Sequence, residues 1–251
     1  MIVYLSPLAG EPLKDYLRGE GFSLIFTPFD KSLGAPGVDP SIALHPDIVL
    51  CRLSEAAAAS NEGENPAKKG REGLFYGAPE KLGARYPKDI RYCACSTGSY
   101  FLHKLKYTDP ALLKAAKELG LELIDIPQGY AKCNIAVVDE VSIITSDEGI
   151  AKALRRHFAE KGERGLELLL IRPGHIELPG HPYGFIGGCS GLLPPRKSDR
   201  RYKARLVFNG DLSAHPDYEK IVDFCALRGV EYVYFKDYPL TDIGSIIAAG
   251  C

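Results

Sequence analysis

The sequence predicts an α/β fold of repeated units closed into a ring, and three observations carry that prediction. Short β-branched runs alternate with amphipathic helical stretches along the chain. The order strand, strand, helix, strand recurs from NIAVVD to LELLLIR (134–172) and again from FIGGCSGLL to VEYVYF (185–235). One further unit is complete only if DIGSIIAA (242–249) joins IVYLS (2–6), which closes the array on itself.

The remaining elements fit in order. EPLKDYLRGEG (11–21) reads as a helix leading into the strand FSLIFTP (22–28). HPDIVLCRL (45–53) through IRYCACS (90–96) supplies another unit, and SYFLHKLKY (99–107) opens the next, completed by the helix TDPALLKAAKELG (108–120) and the strand LELIDIP (121–127). The helix over 147–162 has the clearest start, because Ser146 or Asp147 can cap it and Ile150, Ala153, Leu154 and Phe158 fall on one face. Its counterpart begins near 214–217 and turns Ile221, Val222, Phe224 and Cys225 toward a core. The count is about five units over residues 1–251, a single domain. Two segments interrupt the pattern: 54–73, small and charged, reads as a flexible surface insertion, and the basic loop 193–205 as a solvated hairpin rather than a phosphate or RNA contact.

Of the 251 residues 45% are hydrophobic, enough for a substantial core. The 31 lysines and arginines nearly cancel 32 acidic residues, so no overall field draws the chain to nucleic acid or to an anionic membrane, and neither is expected as a partner. The oligomeric state is left open. MIVYLSPLAGEP lacks the basic start and apolar stretch of a signal peptide, and no run approaches the roughly 20 apolar residues of a membrane span. A cytoplasmic location is therefore expected. Seven cysteines, at 51, 93, 95, 133, 189, 225 and 251, form an odd set that suits reduced thiols. Cys93 and Cys95 have no second pair, which argues against a four-cysteine zinc site.

The stretches CNIAVVDEVSIITSDEGIAKAL (133–154), RPGHIELPGHPYGFIGG (172–188), FNGDLSAHPD (208–217) and YPLTDIGSI (238–246) resemble an uncharacterised bacterial family assigned to the pentein fold. That fold is the five-bladed α/β propeller of guanidino-group-modifying enzymes such as arginine deiminases, dimethylarginine hydrolases and amidinotransferases. The resemblance covers mainly residues 122–247. It implies a cysteine and a histidine at strand starts around a pore, with carboxylates that hold a guanidinium. HPDIV (45–49) looks like the His-x-Asp motif of the deiminases and KCN (132–134) like the segment carrying their nucleophile. Two departures stand out: Cys133 lies mid-chain rather than near the end, and no Glu-Gly-Gly-Asp motif is present.

On this reading Cys133 attacks an amidine or guanidinium carbon, and His45 protonates the departing amine and then activates the water that releases a thiouronium intermediate. Asp47 and Asp242 pair with the planar cation, and Asn134, Ser245 and Phe185 complete its surroundings. The expected partner is a small guanidino or amidino compound, with no cofactor and no metal. A core cysteine and turn-forming histidine and aspartates are the alternative for the same residues, which would make the protein a non-catalytic binding protein. A third reading places a hydrolytic metal in the loop 172–191. There His175, Glu177 and His181 offer ligands without the helical spacing of H-E-x-x-H, and Cys189 is an alternative nucleophile.

Overall fold

A hairpin whose second strand leads through an amphipathic helix into a parallel third strand is the recurring local structure, and it follows from the alternation of apolar runs with helical faces. The computed structural model describes residues 1–27, 38–53, 73–196, 198–199 and 201–249. The insertion expected at 54–73 lies outside the described residues but for Gly73, as does Cys251.

The chain begins with β1 (Ile2–Leu5), α1 (Glu11–Gly19) and β2 (Ser23–Phe26), then β3 (Leu50–Arg52) and β4 (Leu74–Tyr76). Next come β5 (Cys95–Thr97), β6 (Tyr100–His103), α2 (Pro110–Glu118) and β7 (Glu122–Asp125). A one-turn helix α3 (Ala131–Asn134) leads into β8 (Ile135–Asp139), β9 (Ser142–Thr145), α4 (Glu148–Lys161) and β10 (Glu167–Leu170). The last elements are β11 (Ser190–Leu193), β12 (Ala204–Phe208), α5 (Tyr218–Ala226), β13 (Val230–Val233) and β14 (Ile247–Ala249). In the sheets β5-β6-β7, β8-β9-β10 and β11-β12-β13 the first pair is antiparallel and the second parallel. β14 lies antiparallel to β1, with Tyr4 opposite Ile247, and β2 runs parallel to β1 on its other side.

α4 shows why these residues form these elements. Asp147 caps it by accepting the Ile150 N–H at 3.0 Å, a contact that contributes about 1 kcal/mol. Gly162, at φ +66°, ends it in the left-handed conformation. Its buried face, Ile150, Ala151, Leu154 and Phe158, packs with Ile124, Ile135 and Ile143. A second core joins Ala136 and Ile144 to Leu206, Phe208, Ile221 and Cys225. Each large side chain buried in this way stabilises the fold by roughly 1.5–3 kcal/mol.

The closed five-bladed pentein propeller expected from the repeats is corrected by this arrangement. The described strands fall into five small sheets of two or three strands, accompanied by five helices, and no hydrogen-bonded closure runs from sheet to sheet among the described residues. The unit expected over 45–96 departs most, because its own sheet is only the antiparallel pair β3–β4, it has no α-helix among its described residues, and its last residues, Cys95 and Ser96, begin β5 of the next sheet. Pro46 and Pro79 instead open single 3-10 turns, at Pro46–Ile48 and Pro79–Lys81. Periodicity specifies an element and its nearest partner, whereas closure depends on contacts between sheets that no window of sequence contains. No helix among the described residues is long and apolar enough to cross a membrane.

Candidate functional site

Four segments that lead into strands meet at one place: His45–Asp47 before β3, α3 before β8, Phe185–Cys189 before β11, and Asp242–Ser245 before β14. Backbone hydrogen bonds stitch them together. Gly188 N–H donates to Cys133 O at 2.8 Å, Ser245 N–H and Ile243 N–H donate to Gly188 O at 2.7 and 3.1 Å, and Asp47 N–H donates to Gly244 O at 3.3 Å. Two glycines permit the approach. A Cβ on Gly188 would lie 2.0 Å from Asp242 Oδ1, and one on Gly244, at φ +71°, would lie 2.1 Å from His45 Cβ.

The segments deliver a thiol, an imidazole and two carboxylates to one buried cluster. Cys133 Sγ donates to Asp47 Oδ2 at 2.7 Å. One ring nitrogen of His45, Cys133 Sγ and one Asp242 oxygen all lie within 4.8 Å of one another. Asp242 is fixed by two backbone donors, Phe185 N–H on Oδ2 and Gly244 N–H on Oδ1, each at 2.9 Å. Ser245, held at φ +77°, donates its hydroxyl to Gly187 O at 2.9 Å and lies 3.5 Å from Asp47 Oδ2. The four central side chains are almost closed to solvent, with Cys133 4% exposed, His45 2%, Asp47 0% and Asp242 3%. His45 Nδ1 and Asp47 Oδ1 are buried without a hydrogen-bond partner among the described residues. The 3.9 Å from His45 Nδ1 to Asp242 Oδ1 is too long for a hydrogen bond.

Burial dominates the electrostatics. It pushes Asp47 up to about 6 and Asp242 up to about 7, the latter with help from the charge of Asp47. It also holds His45 down at about 4, so the imidazole is neutral, and it raises Cys133 well above the usual thiol range, with Asp47 and Asp242 adding to the effect. The cluster is therefore a neutral thiol and a neutral imidazole beside two buried carboxyl groups. Among the described residues neither carboxylate forms an ion pair with lysine or arginine; the charge of Lys132 bears on both from farther off.

The second His-Pro-Asp tripeptide shows what the first is not. At 215–217, Asp217 N–H donates to His215 Nδ1 at 3.0 Å, and Asp217 pairs with Arg172 at 3.1 Å and Lys220 at 2.8 Å. Those cations hold the Asp217 carboxyl far below its ordinary range. The same three residues thus carry a carboxylate paired with two cations in one place, where His215 Nε2 is nonetheless left without a partner among the described residues, and in the other a carboxylate with no lysine or arginine ion pair.

Of the residues singled out from the sequence, Cys133, His45, Asp47, Asp242 and Ser245 come together, and Phe185 adjoins them through its backbone N–H. Asn134 does not point its amide at the cluster, because Nδ2 donates to Tyr130 O within its own turn. The loop 172–191 does not gather a metal triad. His175 stacks edge-on against His215, His181 bonds Ser41 Oγ at 2.7 Å, and the one group of three potential ligands among the described residues is His45, Cys133 and Asp242. Cys189 is fully buried and donates to Ile186 O at 3.3 Å. Two features escape the sequence. Cys133 stands on the turn of α3 rather than on a strand, and Gly188 works by making room for Asp242. The repeated Gly-Gly at 187–188 is the signal that could have pointed to close packing.

No curated protein matches the chain. A family of unknown function (DUF6873) matches residues 9–247, nearly the whole length, and the chain belongs to that family.

Proposed function

We propose that the cluster is a nucleophilic site at which Cys133 attacks the central carbon of a small planar cation, an amidine or guanidine, as a hydrolase or transferase. The observation that carries this reading is the convergence of a thiol and an imidazole on two buried carboxylates that form no ion pair with lysine or arginine among the described residues. Such carboxylates are unfavourable alone, and an entering cation would neutralise them and supply donors to the orphaned Asp47 Oδ1. The same positive charge would draw the thiol toward its thiolate.

In the reaction the thiol proton moves to His45, a C–S bond forms at the amidinium carbon, and His45 returns the proton to the nitrogen whose C–N bond breaks. Water, or an acceptor amine in a transferase, then attacks the thiouronium carbon and gives its proton to His45; the C–S bond breaks, and His45 returns the proton to Cys133 Sγ. Asp47 orients Sγ through its hydrogen bond, and Asp242 fixes the plane of the cation. A substrate must part the packing over the cluster, which makes opening a step of binding.

The test is alkylation by a haloacetamidine against its neutral haloacetamide isostere, with every cysteine followed by mass spectrometry. In either case a C–S bond forms and halide leaves. Cys133 is expected to take up the cationic reagent at least about 10-fold faster than the neutral one, and to lose that preference in Asp242→Asn. Equal rates for the two reagents, or labelling of Cys133 no faster than Cys225, would show a core thiol and leave a non-catalytic binding protein.

A further inference from the structure

We propose that His45 Nδ1, Cys133 Sγ and an Asp242 carboxylate oxygen form a binding site for one zinc-class divalent cation. Metal binding here is read directly, so the inference stands apart from the nucleophile reading, although both use Sγ.

A ring nitrogen of His45, Cys133 Sγ and an Asp242 carboxylate oxygen lie within 4.8 Å of one another on side chains that are all buried. Zinc bonds of about 2.0–2.3 Å imply a ligand–ligand separation of about 3.5 Å in a tetrahedron. The 3.9 Å between His45 Nδ1 and Asp242 Oδ1 is close to that, and the rest of the cluster must contract by about 1 Å. A second, independent observation is the buried His45 Nδ1, which has no hydrogen-bond partner among the described residues. A buried polar nitrogen left in this state is unfavourable, and a metal bond would relieve it.

The supporting contacts are in place. Phe185 N–H and Gly244 N–H hold the Asp242 carboxylate, and Gly188 N–H holds the backbone at Cys133. A mixed nitrogen, sulfur and oxygen donor set suits zinc or cobalt and disfavours magnesium or calcium. Charge favours the same ion. With Asp242 as ligand and Asp47 beside the thiol, a dication bound to the thiolate would leave one net negative charge where the two carboxylates alone carry two, so the ion lowers the uncompensated buried charge. On binding, the S–H bond breaks and the proton leaves to solvent by way of Asp47 Oδ2, which already accepts it at 2.7 Å. Three protein ligands leave a fourth position for water. A bound ion would block attack by Cys133 and so couple the thiol to metal supply.

The test is titration of the chelator-stripped full-length protein with Co2+. A thiolate-to-cobalt charge-transfer band in the near ultraviolet is expected to saturate at one ion per chain. Cys133→Ser, which nearly preserves shape, should abolish the band, and His45→Gln should weaken affinity at least about 10-fold. Cys225→Ser should leave the titration unchanged. No saturable band, a band that survives Cys133→Ser, or one lost in Cys225→Ser would overturn the proposal. Should His45→Gln fail to fold, as judged by circular dichroism, protection decides in the unsubstituted protein. Zn2+ but not Mg2+ should slow alkylation of Cys133, and equal labelling with and without Zn2+ would refute the site. Haloacetamidine labelling in the presence of chelator separates failure of this site from failure of the nucleophile.

Discussion

Replacing Asp47 by asparagine should make the protein more stable, and only above the pH at which the carboxyl ionises. The native value of about 6 sits above the unfolded value of 3.8, so the unfolded chain gives up the proton first. Below 3.8 the group contributes no penalty, between 3.8 and 6 the native state loses ground, and above 6 the full penalty applies. A shift of about two units corresponds to about 3 kcal/mol at pH 8. Asparagine keeps an oxygen to accept from Cys133 Sγ, so most of that difference should appear as a gain of about 1–3 kcal/mol. The assay is urea unfolding of both proteins with chelator present at pH 3.5 and pH 8. With a slope of roughly 2–3 kcal/mol per molar urea, the midpoint at pH 8 should rise by about 0.5–1 M and that at pH 3.5 should not rise. A variant destabilised equally at both pH values would refute the reasoning, since its loss would then come from packing rather than from an ionised buried carboxylate.

Two other perturbations follow from the same geometry. His103 is fully buried, with its ring nitrogens paired to Thr108 Oγ1 and Gly129 O, and burial holds it down at about 4 against an ordinary 6.5. Because the unfolded chain binds the proton first, stability present above pH 6.5 is lost as pH falls toward 4, by about 3 kcal/mol; in His103→Gln this part of the slope should be missing from a series of urea midpoints. Gly188→Ala puts a methyl group against Asp242 and should cost about 1–3 kcal/mol, while removing the preference of Cys133 for a cationic alkylating reagent; an alanine variant with the preference intact would show that Asp242 can move without consequence.

What could be read in the sequence was local. The cap at Asp147, the buried stripe of α4 and the pairing of neighbouring strands all follow from signals a few residues apart. The candidate residues could be proposed one at a time because each stands just before a strand, in the turn-rich stretches where chemistry-bearing side chains collect. The arrangement of the sheets could not be read, since it is written in no single window, and the closed ring expected from the repeats is not what the described strands form. Nor could the setting of the two His-Pro-Asp tripeptides, which differ only in what the rest of the chain brings to them: Arg172 and Lys220 at Asp217, a thiol at Asp47. The loop 172–191 looked like a site of its own. Its glycines instead yield space to an aspartate from a distant segment.

The pairing of β14 with β1 bears on the order in which the protein acquires its chemistry. Asp242 and Ser245 sit just before β14, so of the residues in the cluster they are synthesised last. His45, Asp47 and Cys133 emerge earlier and have no complete site to enter until that strand anneals beside the first one. A nascent chain thus carries its thiol without the carboxylate that would help it hold a metal ion or a cationic substrate, and the stretch that seals the amino-terminal sheet is also the one that completes the cluster.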